Sequence, residues 1–284
     1  MHWIDEIQIE QGPGHSSRRV IKEIFTQMAA SRATGEPCTL GFMGVPPWRM
    51  MHEARRISGD VVDLDMPQGD VSKAEAEVFL PRIFCATLRT ALANALHLPI
   101  DWMILATGYD KCDGGRFVAE IIRRETKAPV LCVGNAETKL LPTPISDSHL
   151  PLRDKVNRII DYVSGADRAE DCPLQEQFKS QEKFKCGYWG VPPHDQDVLA
   201  LFPDETRVLG WTRMMEAQVP AAIDLELWVP EGLPTVFYAQ AFCAKNGIAK
   251  YLAEKHNGLY IEVDHQLSSS TEAKVEAYLK FRVK

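Results

Sequence analysis

The sequence predicts an α/β protein made of two domains, each built on a mostly parallel sheet. Apolar runs alternate with helix-like segments along the chain, a pattern typical of βαβ units. An octamer at residues 40–47 recurs in closely similar form at residues 186–193. With 284 residues, of which 45% are hydrophobic, the chain is long enough to bury two cores.

The first half is predicted to hold four strands, each a short apolar run bounded by residues that favour turns. These strands are Thr39–Met43, Val61–Leu64, Trp102–Ala106 and Val130–Val133. The helices predicted in this half are Trp48–Ile57, Lys73–Leu96 with a break at Pro81, and Arg116–Glu125. Pro81 is expected to open a second helix, because proline is tolerated in the first turn of a helix but not in its interior.

A proline-containing connector at Leu140–Ser148 and a polar stretch at Ser164–Lys183 separate the halves, and a helix is predicted between them at Lys155–Val163. The later strands are predicted at Lys185–Trp189, Arg207–Gly210, Thr235–Ala239 and Leu259–Val263, and the later helices at Lys245–His256 and Thr271–Phe281. The predicted division is 1–37 as an N-terminal helical segment, 38–150 as the first α/β domain, 151–183 as a helical linker and 184–284 as the second α/β domain.

The repeated octamer supports two related domains. Its first copy is Leu-Gly-Phe-Met-Gly-Val-Pro-Pro at Leu40–Pro47, and its second is Cys-Gly-Tyr-Trp-Gly-Val-Pro-Pro at Cys186–Pro193. Each copy is interpreted as a strand, a glycine turn and a Pro-Pro step that could open a helix. One repeat does not indicate a solenoid, so we expect two α/β domains facing each other across a cleft.

Charge and composition exclude several classes of partner. The net charge of −7 argues against nucleic acid or an anionic membrane, because binding to phosphates needs clustered Lys and Arg. No apolar run approaches the ~18 residues of a membrane span. The acidic N-terminus is unlike a signal peptide, so a cytoplasmic location is expected. Seven scattered cysteines, an odd number, do not suggest a disulfide framework.

Three of the cysteines are candidate metal ligands. Cys112 and Cys243 each follow an apolar strand, where parallel sheets present ligands and reactive groups. Cys85 is expected in the first turn of the helix that Pro81 starts, where backbone N–H groups favour a thiolate. Three thiolates brought together by the fold could hold one face of a [4Fe–4S] cluster and leave the fourth iron open.

The alternative is that these cysteines are buried and act as small hydrophobic residues. That interpretation is kept for the remaining four, which are Cys38, Cys132, Cys172 and Cys186.

Short segments in order along residues 38–281 carry a family resemblance. They are Gly41–Ala54 with its proline and His-Ala helix, Leu80–Cys85, the Cys-Asp segment Lys111–Arg116, and the C-terminal group Phe242–Cys243, Ile261–Asp264 and Lys274–Tyr278. Together they resemble the iron–sulfur subunits of the 2-hydroxyacyl-CoA dehydratase and benzoyl-CoA reductase family.

This resemblance implies two flavodoxin-like or Rossmann-like domains with a [4Fe–4S] cluster at their interface, held by Cys85, Cys112 and Cys243. It implies a homologous iron–sulfur subunit, or a second copy of this chain, as partner. It also implies an ATP-dependent activator as electron donor and an acyl-CoA-type substrate. The expected activity is that of a dehydratase, a lyase, or of an acyl-CoA reductase, an oxidoreductase, in anaerobic metabolism.

The chain departs from the family after the proline of the first helix. The family carries an acidic pair there, whereas this chain has Trp48 and Arg49, and an acid near the open iron could transfer protons. The departure leaves open an electron-relaying partner in a heterodimer and a divergent enzyme. Two further alternatives are a stand-alone iron–sulfur reductase of a small non-CoA molecule and a cluster-free binding or scaffold subunit.

Other polar residues are weighed between structural and functional roles. His52, on a predicted helix, is the candidate proton donor, with an ordinary helix-face histidine as the alternative. Asp113 and Asp195 are expected to cap helices. No Walker A sequence is present, so ATP hydrolysis by this chain is not expected.

Two glycines and two acids complete the candidates. Gly114 and Gly115 would allow close backbone approach to a cluster, or simply form a tight turn. Glu262 and Asp264 end a predicted strand, where acids either cap or line a cleft. The Trp211–Met215 stretch could line the cleft or belong to the core.

Overall fold

The computed structural model describes residues 1–35, 38–69, 71–72, 74, 76–108, 112–166, 184–220 and 222–283. The chain forms two compact units. The first comprises Met1–Lys139 and Asp161–Ala166, and the second comprises Leu140–Ile160 and the described residues from Phe184 onward. Cys172 and the predicted polar stretch from residue 167 onward lie outside the described residues.

The first unit is built on a five-stranded sheet. Its strands are β1 (Ile9–Glu10), β2 (Cys38–Met43), β3 (Gly59–Asp63), β4 (Trp102–Ala106) and β5 (Val130–Asn135). They lie in the order β1-β5-β4-β2-β3, and all neighbours are parallel except β1 with β5. The four predicted strands are confirmed to within two residues at either end. The two-residue β1 was missed, because it is too short to show a period.

The helices of this unit follow the expected alternation. They are α1 (Trp3–Glu6), α2 (Arg18–Ala33), α3 (Trp48–Ser58), α4 (Ala86–His97) and α5 (Asp113–Glu125), with a 3-10 helix at Ala76–Val78. The last three α-helices each connect two successive parallel strands, as βαβ units require.

The helix predicted across Lys73–Leu96 is confirmed only in its second part, as α4 (Ala86–His97). The opening of that part at Pro81 is wrong, and among the described residues between 73 and 81 only the 3-10 helix Ala76–Val78 is helical. Pro81 instead begins a turn in which the Phe84 N–H donates to the Pro81 carbonyl (2.9 Å), and α4 begins only after Cys85. From its first residue α4 is buried along most of its length, whereas Ile83, just before it, is 73% exposed. Burial of the apolar run decides where the helix begins, and the preference of proline for a first turn does not.

The second unit is built on a four-stranded, all-parallel sheet. Its strands are β6 (Cys186–Trp189), β7 (Thr206–Leu209), β8 (Thr235–Gln240) and β9 (Leu259–Val263), in the order β7-β6-β8-β9. The helices are α6 (Leu152–Val163), α7 (Trp211–Ala217), α8 (Ile223–Leu227), α9 (Asn246–Lys255) and α10 (Ser269–Arg282), with a 3-10 helix at Gln196–Leu201. All four predicted strands are confirmed. The residues of α6 from Asp161 onward belong to the first unit.

The parallel strands of both sheets have the same spatial order. Numbered along each unit, they lie 2-1-3-4, the order found in flavodoxin-type sheets. The octamer runs through the first strand of each unit. Gly41 there pairs with Met103 of the third strand, and Gly187 pairs with Thr235 of the third strand. The repeat therefore marks the same place in two similar sheets, as the sequence predicted.

Two further features concern the helices. All seven residues of α7 are buried, so the Trp211–Met215 stretch belongs to the core of the second unit. No helix within the described ranges combines the length and apolarity needed to cross a lipid bilayer.

Candidate functional site

Cys112 and Cys243 occupy equivalent places in the two units. Each follows the third strand of its sheet, β4 or β8, and precedes the helix that leaves it, α5 or α9. In sheets of this order, ligands bind at the carboxyl ends of the strands, where the strand order reverses. Both cysteines are therefore at the edge where the sequence expected them. Lys111 of the Cys-Asp segment lies outside the described residues.

The first unit contributes two candidate ligands, and each directly precedes a helix. Cys85 is the N-cap residue of α4 and Cys112 that of α5, and neither side chain makes a capping hydrogen bond. Cys85 is half-buried and Cys112 is exposed. The two helices pack closely near these ends, since a Cβ on Gly114 would lie 3.1 Å from the Phe84 ring and 3.2 Å from Leu88. Helix starts present backbone N–H groups that favour negative charge.

The residues after Cys112 differ from expectation. Asp113 is the first residue of α5 rather than its cap, because Cys112 takes that position. Gly114 and Gly115 lie in the first turn of α5 and not in a separate tight turn, and the missing side chain of Gly114 leaves room for the Phe84 ring. Their approach to a cluster stays a prediction.

Cys243 lies in a turn whose backbone is fixed on several sides. Its N–H donates to the Gln240 carbonyl (3.1 Å), and its carbonyl accepts from the Asn246 N–H (3.0 Å). The preceding Phe242 has a φ of +58°, in the left-handed region that bulky residues rarely adopt. Its N–H donates to the Glu262 carboxylate (3.3 Å). The sulfur of Cys243 is thus carried, half-buried, on an ordered turn.

The other described cysteines are buried within strands. They are Cys38, Cys132 and Cys186. Burial raises the pKa of the Cys132 and Cys186 thiols to about 11, and burial also raises the pKa of Cys38. Because metals bind thiolates, these three are poor candidate ligands, and the prediction that they act as small hydrophobic residues is confirmed.

His52 contacts a backbone carbonyl and an aromatic ring of the first unit. Its Nδ1 lies 3.1 Å from the Gly165 carbonyl oxygen, and its ring stacks on Trp48 with centroids 4.7 Å apart. The Trp48 indole N–H donates to the Ala166 carbonyl (3.3 Å), and Arg49 forms an ion pair with an exposed glutamate. The contacts of His52 and Trp48 tie α3 to the residues after α6, and that of Arg49 ties α3 to α1. The role of His52 as a proton donor stays a prediction.

Sequence reasoning missed Gln240, which is fully buried at the end of β8. Its amide group donates to the Val263 carbonyl (3.0 Å) and to the Asp264 carbonyl. Its oxygen accepts from the Tyr238 hydroxyl (2.6 Å) and from the His194 N–H (3.4 Å). One amide therefore joins the carboxyl ends of three strands. A glutamine closing an apolar strand was the available signal, since buried polar groups need partners.

Asp195 caps the 3-10 helix that follows β6, as expected. Its carboxylate accepts from the Asp197 N–H (3.0 Å) and the Leu267 N–H (2.7 Å). Asp264, at the same edge of the sheet, lies 3.2 Å from the His265 ring. The loops at the carboxyl ends of the second sheet are thus tied together by Asp195 and by Gln240.

The first unit also contains a cavity of about 400 Å³. It is lined by the loop that follows β1, by Thr107 after β4, and by Arg116 and Glu120 on α5. His15 of that loop has Nε2 3.1 Å from the Thr107 carbonyl oxygen. Within the described residues, Nδ1 of His15 and the Thr107 hydroxyl are buried without a hydrogen-bond partner. The mixed charges of the lining suit a small ligand with both donors and acceptors.

Two ionisable side chains are buried in the second unit. Burial raises the pKa of Glu216 to about 7, although its carboxylate accepts from the Ile145 N–H (2.7 Å), the Ser146 N–H (2.8 Å) and the Ser146 hydroxyl (2.5 Å). Burial lowers the pKa of Lys155 to about 8, and its ammonium donates to two backbone carbonyls. Both groups fasten the segment Leu140–Ile160 to the rest of the unit, which is a structural role.

Among the described residues, no group of three or more His, Cys, Asp or Glu side chains is arranged to hold a metal ion. Cys85 and Cys112 belong to the first unit and Cys243 to the second, so the ligand set stays a prediction. No protein-family model matches the chain, and no curated protein is significantly similar to it.

Proposed function

We propose that this chain binds a [4Fe–4S] cluster through Cys85, Cys112 and Cys243. It would serve as the cluster-binding subunit of an enzyme like the 2-hydroxyacyl-CoA dehydratases and benzoyl-CoA reductases. The observation that carries the proposal is the division among the described cysteines. Of the three candidates, Cys112 is exposed and Cys85 and Cys243 are half-buried, at helix starts or in a turn, whereas the other three are buried in strands.

The chemistry of the donors fits this group. Iron–sulfur clusters are held by thiolates, and hydrogen bonds to their sulfurs tune them. Cys85 and Cys112 precede the starts of two packed helices, whose N–H groups favour thiolates and cluster sulfides. The proposal requires the Cys243 thiol to meet this pair. The shared strand order supports two flavodoxin-like domains.

When bound, such a cluster accepts and passes single electrons at low potential. The residues of this chain would hold it and donate hydrogen bonds to it. An ATP-dependent activator would supply the electron, and an acyl-CoA thioester would be the substrate. Trp48 and Arg49 stand where the family has acids, and both make structural contacts. This favours an electron relay beside a homologous subunit.

The test is the iron content of anaerobically purified, reconstituted protein. Cys112→Ala, Cys85→Ala and Cys243→Ala should each lose most of the cluster iron. Cys132→Ala is the matched control, because it removes a buried strand thiol and should keep the iron. Near-stoichiometric iron in Cys112→Ala would defeat the ligand assignment. Electron paramagnetic resonance spectra with and without acyl-CoA thioesters then separate chemistry at this cluster, which would change its signal, from a pure relay.

A second candidate function is the binding of a small polar molecule in the cavity of the first unit, without a cluster. The buried, unpartnered groups of His15 and Thr107 beside that cavity favour it. A colourless protein after reconstitution, combined with a rise in Tm on adding small amino or carboxylic acids, would support this alternative. Arg116→Met should then abolish the rise, because Arg116 lines the cavity.

A further inference from the structure

Glu262, near the end of β9, contacts the turn that carries Cys243. Its carboxylate accepts hydrogen bonds from the Phe242 N–H (3.3 Å), the Asn246 side-chain amide (2.8 Å) and the Tyr260 hydroxyl (3.1 Å). These donors lie on the turn after β8, at the first residue of α9, and on β9 itself. One carboxylate therefore joins the three elements that surround Cys243.

The turn needs such an acceptor because its conformation is unfavourable. Phe242 adopts a φ of +58°, and left-handed backbone costs energy for residues other than glycine, asparagine and aspartate. The Phe242 ring is 48% exposed, so burial of the ring does little to offset that cost. The hydrogen bond from its N–H to Glu262 does offset it. Residues held in this region of φ occur often at functional sites.

Asn246 strengthens the link between Glu262 and the cysteine. Its backbone N–H donates to the Cys243 carbonyl (3.0 Å), while its side-chain amide donates to Glu262 (2.8 Å). The Tyr260 hydroxyl stays a donor up to alkaline pH, because burial and the neighbouring Glu262 charge raise its pKa to about 12. The residues on both sides of Cys243 are thus attached to one carboxylate.

We propose that Glu262 is a positioning residue for Cys243. It holds the strained turn so that the sulfur is presented in a single orientation. The inference rests on the proposed function only where Cys243 is taken as a cluster ligand. The ordering of the turn itself is independent of any cofactor.

The first experiment measures that ordering in cluster-free protein. Cys85, Cys112 and Cys172 are replaced by serine, which leaves Cys243 as the accessible described thiol. The rate of alkylation by iodoacetamide is then followed with pH to its alkaline plateau, where the thiol is fully ionised and charge effects on its ionisation vanish. Glu262→Ala should raise the plateau rate about three- to tenfold, the size expected for losing one or two hydrogen bonds.

Two further variants separate positioning from charge. Glu262→Gln keeps an oxygen that can accept from the Phe242 N–H. Its plateau rate should therefore stay within about twofold of that of the triple-serine protein with Glu262 intact. Glu254→Ala removes a carboxylate from the last turn of α9 and should leave the rate unchanged. An unchanged plateau in Glu262→Ala overturns the proposal, as does an equal rise in Glu262→Gln or Glu254→Ala.

The second experiment uses the reconstituted protein with all its cysteines. Cluster loss to a chelator should be several-fold faster in Glu262→Ala than in Glu262→Gln, and equal rates overturn the link to the cluster. If unsubstituted protein takes up no iron while the alkylation result holds, the positioning role stands and the cluster proposal falls. The two failures are therefore distinguishable.

Discussion

The two units share a strand order, an octamer and a cysteine after the third strand, yet they hold that cysteine differently. In the first unit, α5 begins directly after Cys112, which serves as its N-cap residue. In the second, α9 begins three residues beyond Cys243, and the turn between them is tied to Glu262. Strand order is constrained by backbone pairing, whereas loops at strand ends can diverge.

The units also differ in the connection between their second and third strands. In the first unit this connection ends in α4, with Cys85 at its start. In the second it contains the buried helix α7, with Trp211 at its start. The first unit thus supplies two of the three proposed ligands, Cys85 and Cys112, and the second supplies only Cys243.

The largest effect expected is the difference in alkylation rate between the cysteine that follows the third strand and the cysteine buried in a strand, within each unit. The pKa of Cys132 and of Cys186 is raised from 9.0 to about 11, which alone lowers their thiolate fraction about a hundredfold. Brief alkylation of cluster-free native protein, followed by mass spectrometry, should label Cys112 and Cys243 and spare these two. Comparable labelling of Cys132 and Cys112 would contradict the division on which the proposed function depends.

Glu216 should make the stability of the second unit depend on pH. Its pKa rises from 4.5 to about 7 on folding, so the folded state holds the proton more tightly. The stabilisation is complete below pH 4.5, is lost progressively up to about pH 7, and amounts to about 3 kcal/mol at most.

Urea unfolding of the unsubstituted protein and of Glu216→Gln across that pH range measures this effect. The free energy of unfolding of the unsubstituted protein should fall relative to that of the variant as the pH rises. A difference that stays constant with pH would show that the carboxyl group is not buried as described.

Substitution of the first glycine of the octamer compares the packing around Gly41 in the first unit with that around Gly187 in the second. A Cβ at Gly187 would lie 2.6 Å from the hydroxyl of Thr235, a stiff β-branched side chain, whereas at Gly41 it would lie 3.0 Å from the flexible end of Ile100. Gly187→Ala should lower the free energy of unfolding by about 2 kcal/mol and Gly41→Ala by less than about 1 kcal/mol. Equal losses in urea unfolding would mean that the two sites pack alike.

The smallest effect expected concerns helix capping. Cys112 has the extended backbone of an N-cap residue, with φ −67° and ψ 158°. In cluster-free protein, Cys112→Ser should therefore be about 1 kcal/mol more stable than Cys112→Ala. Cys243→Ser should be no more stable than Cys243→Ala, because Lys245 occupies the N-cap position of α9. Thermal unfolding measures both pairs of variants. If serine were more stable than alanine at both sites, or at neither, the two cysteines would not differ in their capping positions.

Much of the architecture was predictable from local pattern. All eight predicted strands are confirmed, because runs such as Trp102–Ala106 combine apolar residues with clear boundaries. The start of α4 was not predictable, because burial against distant residues overrode the local signal of Pro81. Gln240 was missed, because it accepts and donates across to β9 and to the loop after β6. Glu262 was a candidate, but its contact with the turn that carries Cys243 was not predictable from local sequence.

Local sequence pattern was enough to predict the alternation of strands and helices, the two mostly parallel sheets and the placement of Cys112 and Cys243 at strand ends. These are consequences of hydrophobic period and chain order, which are local properties. Long-range packing places Cys112 at the N-cap position of α5 and Cys243 on a strained turn whose backbone N–H is bound by Glu262. It also makes Glu216 titrate near neutrality. Such features depend on groups far apart in the chain and on the water excluded between them.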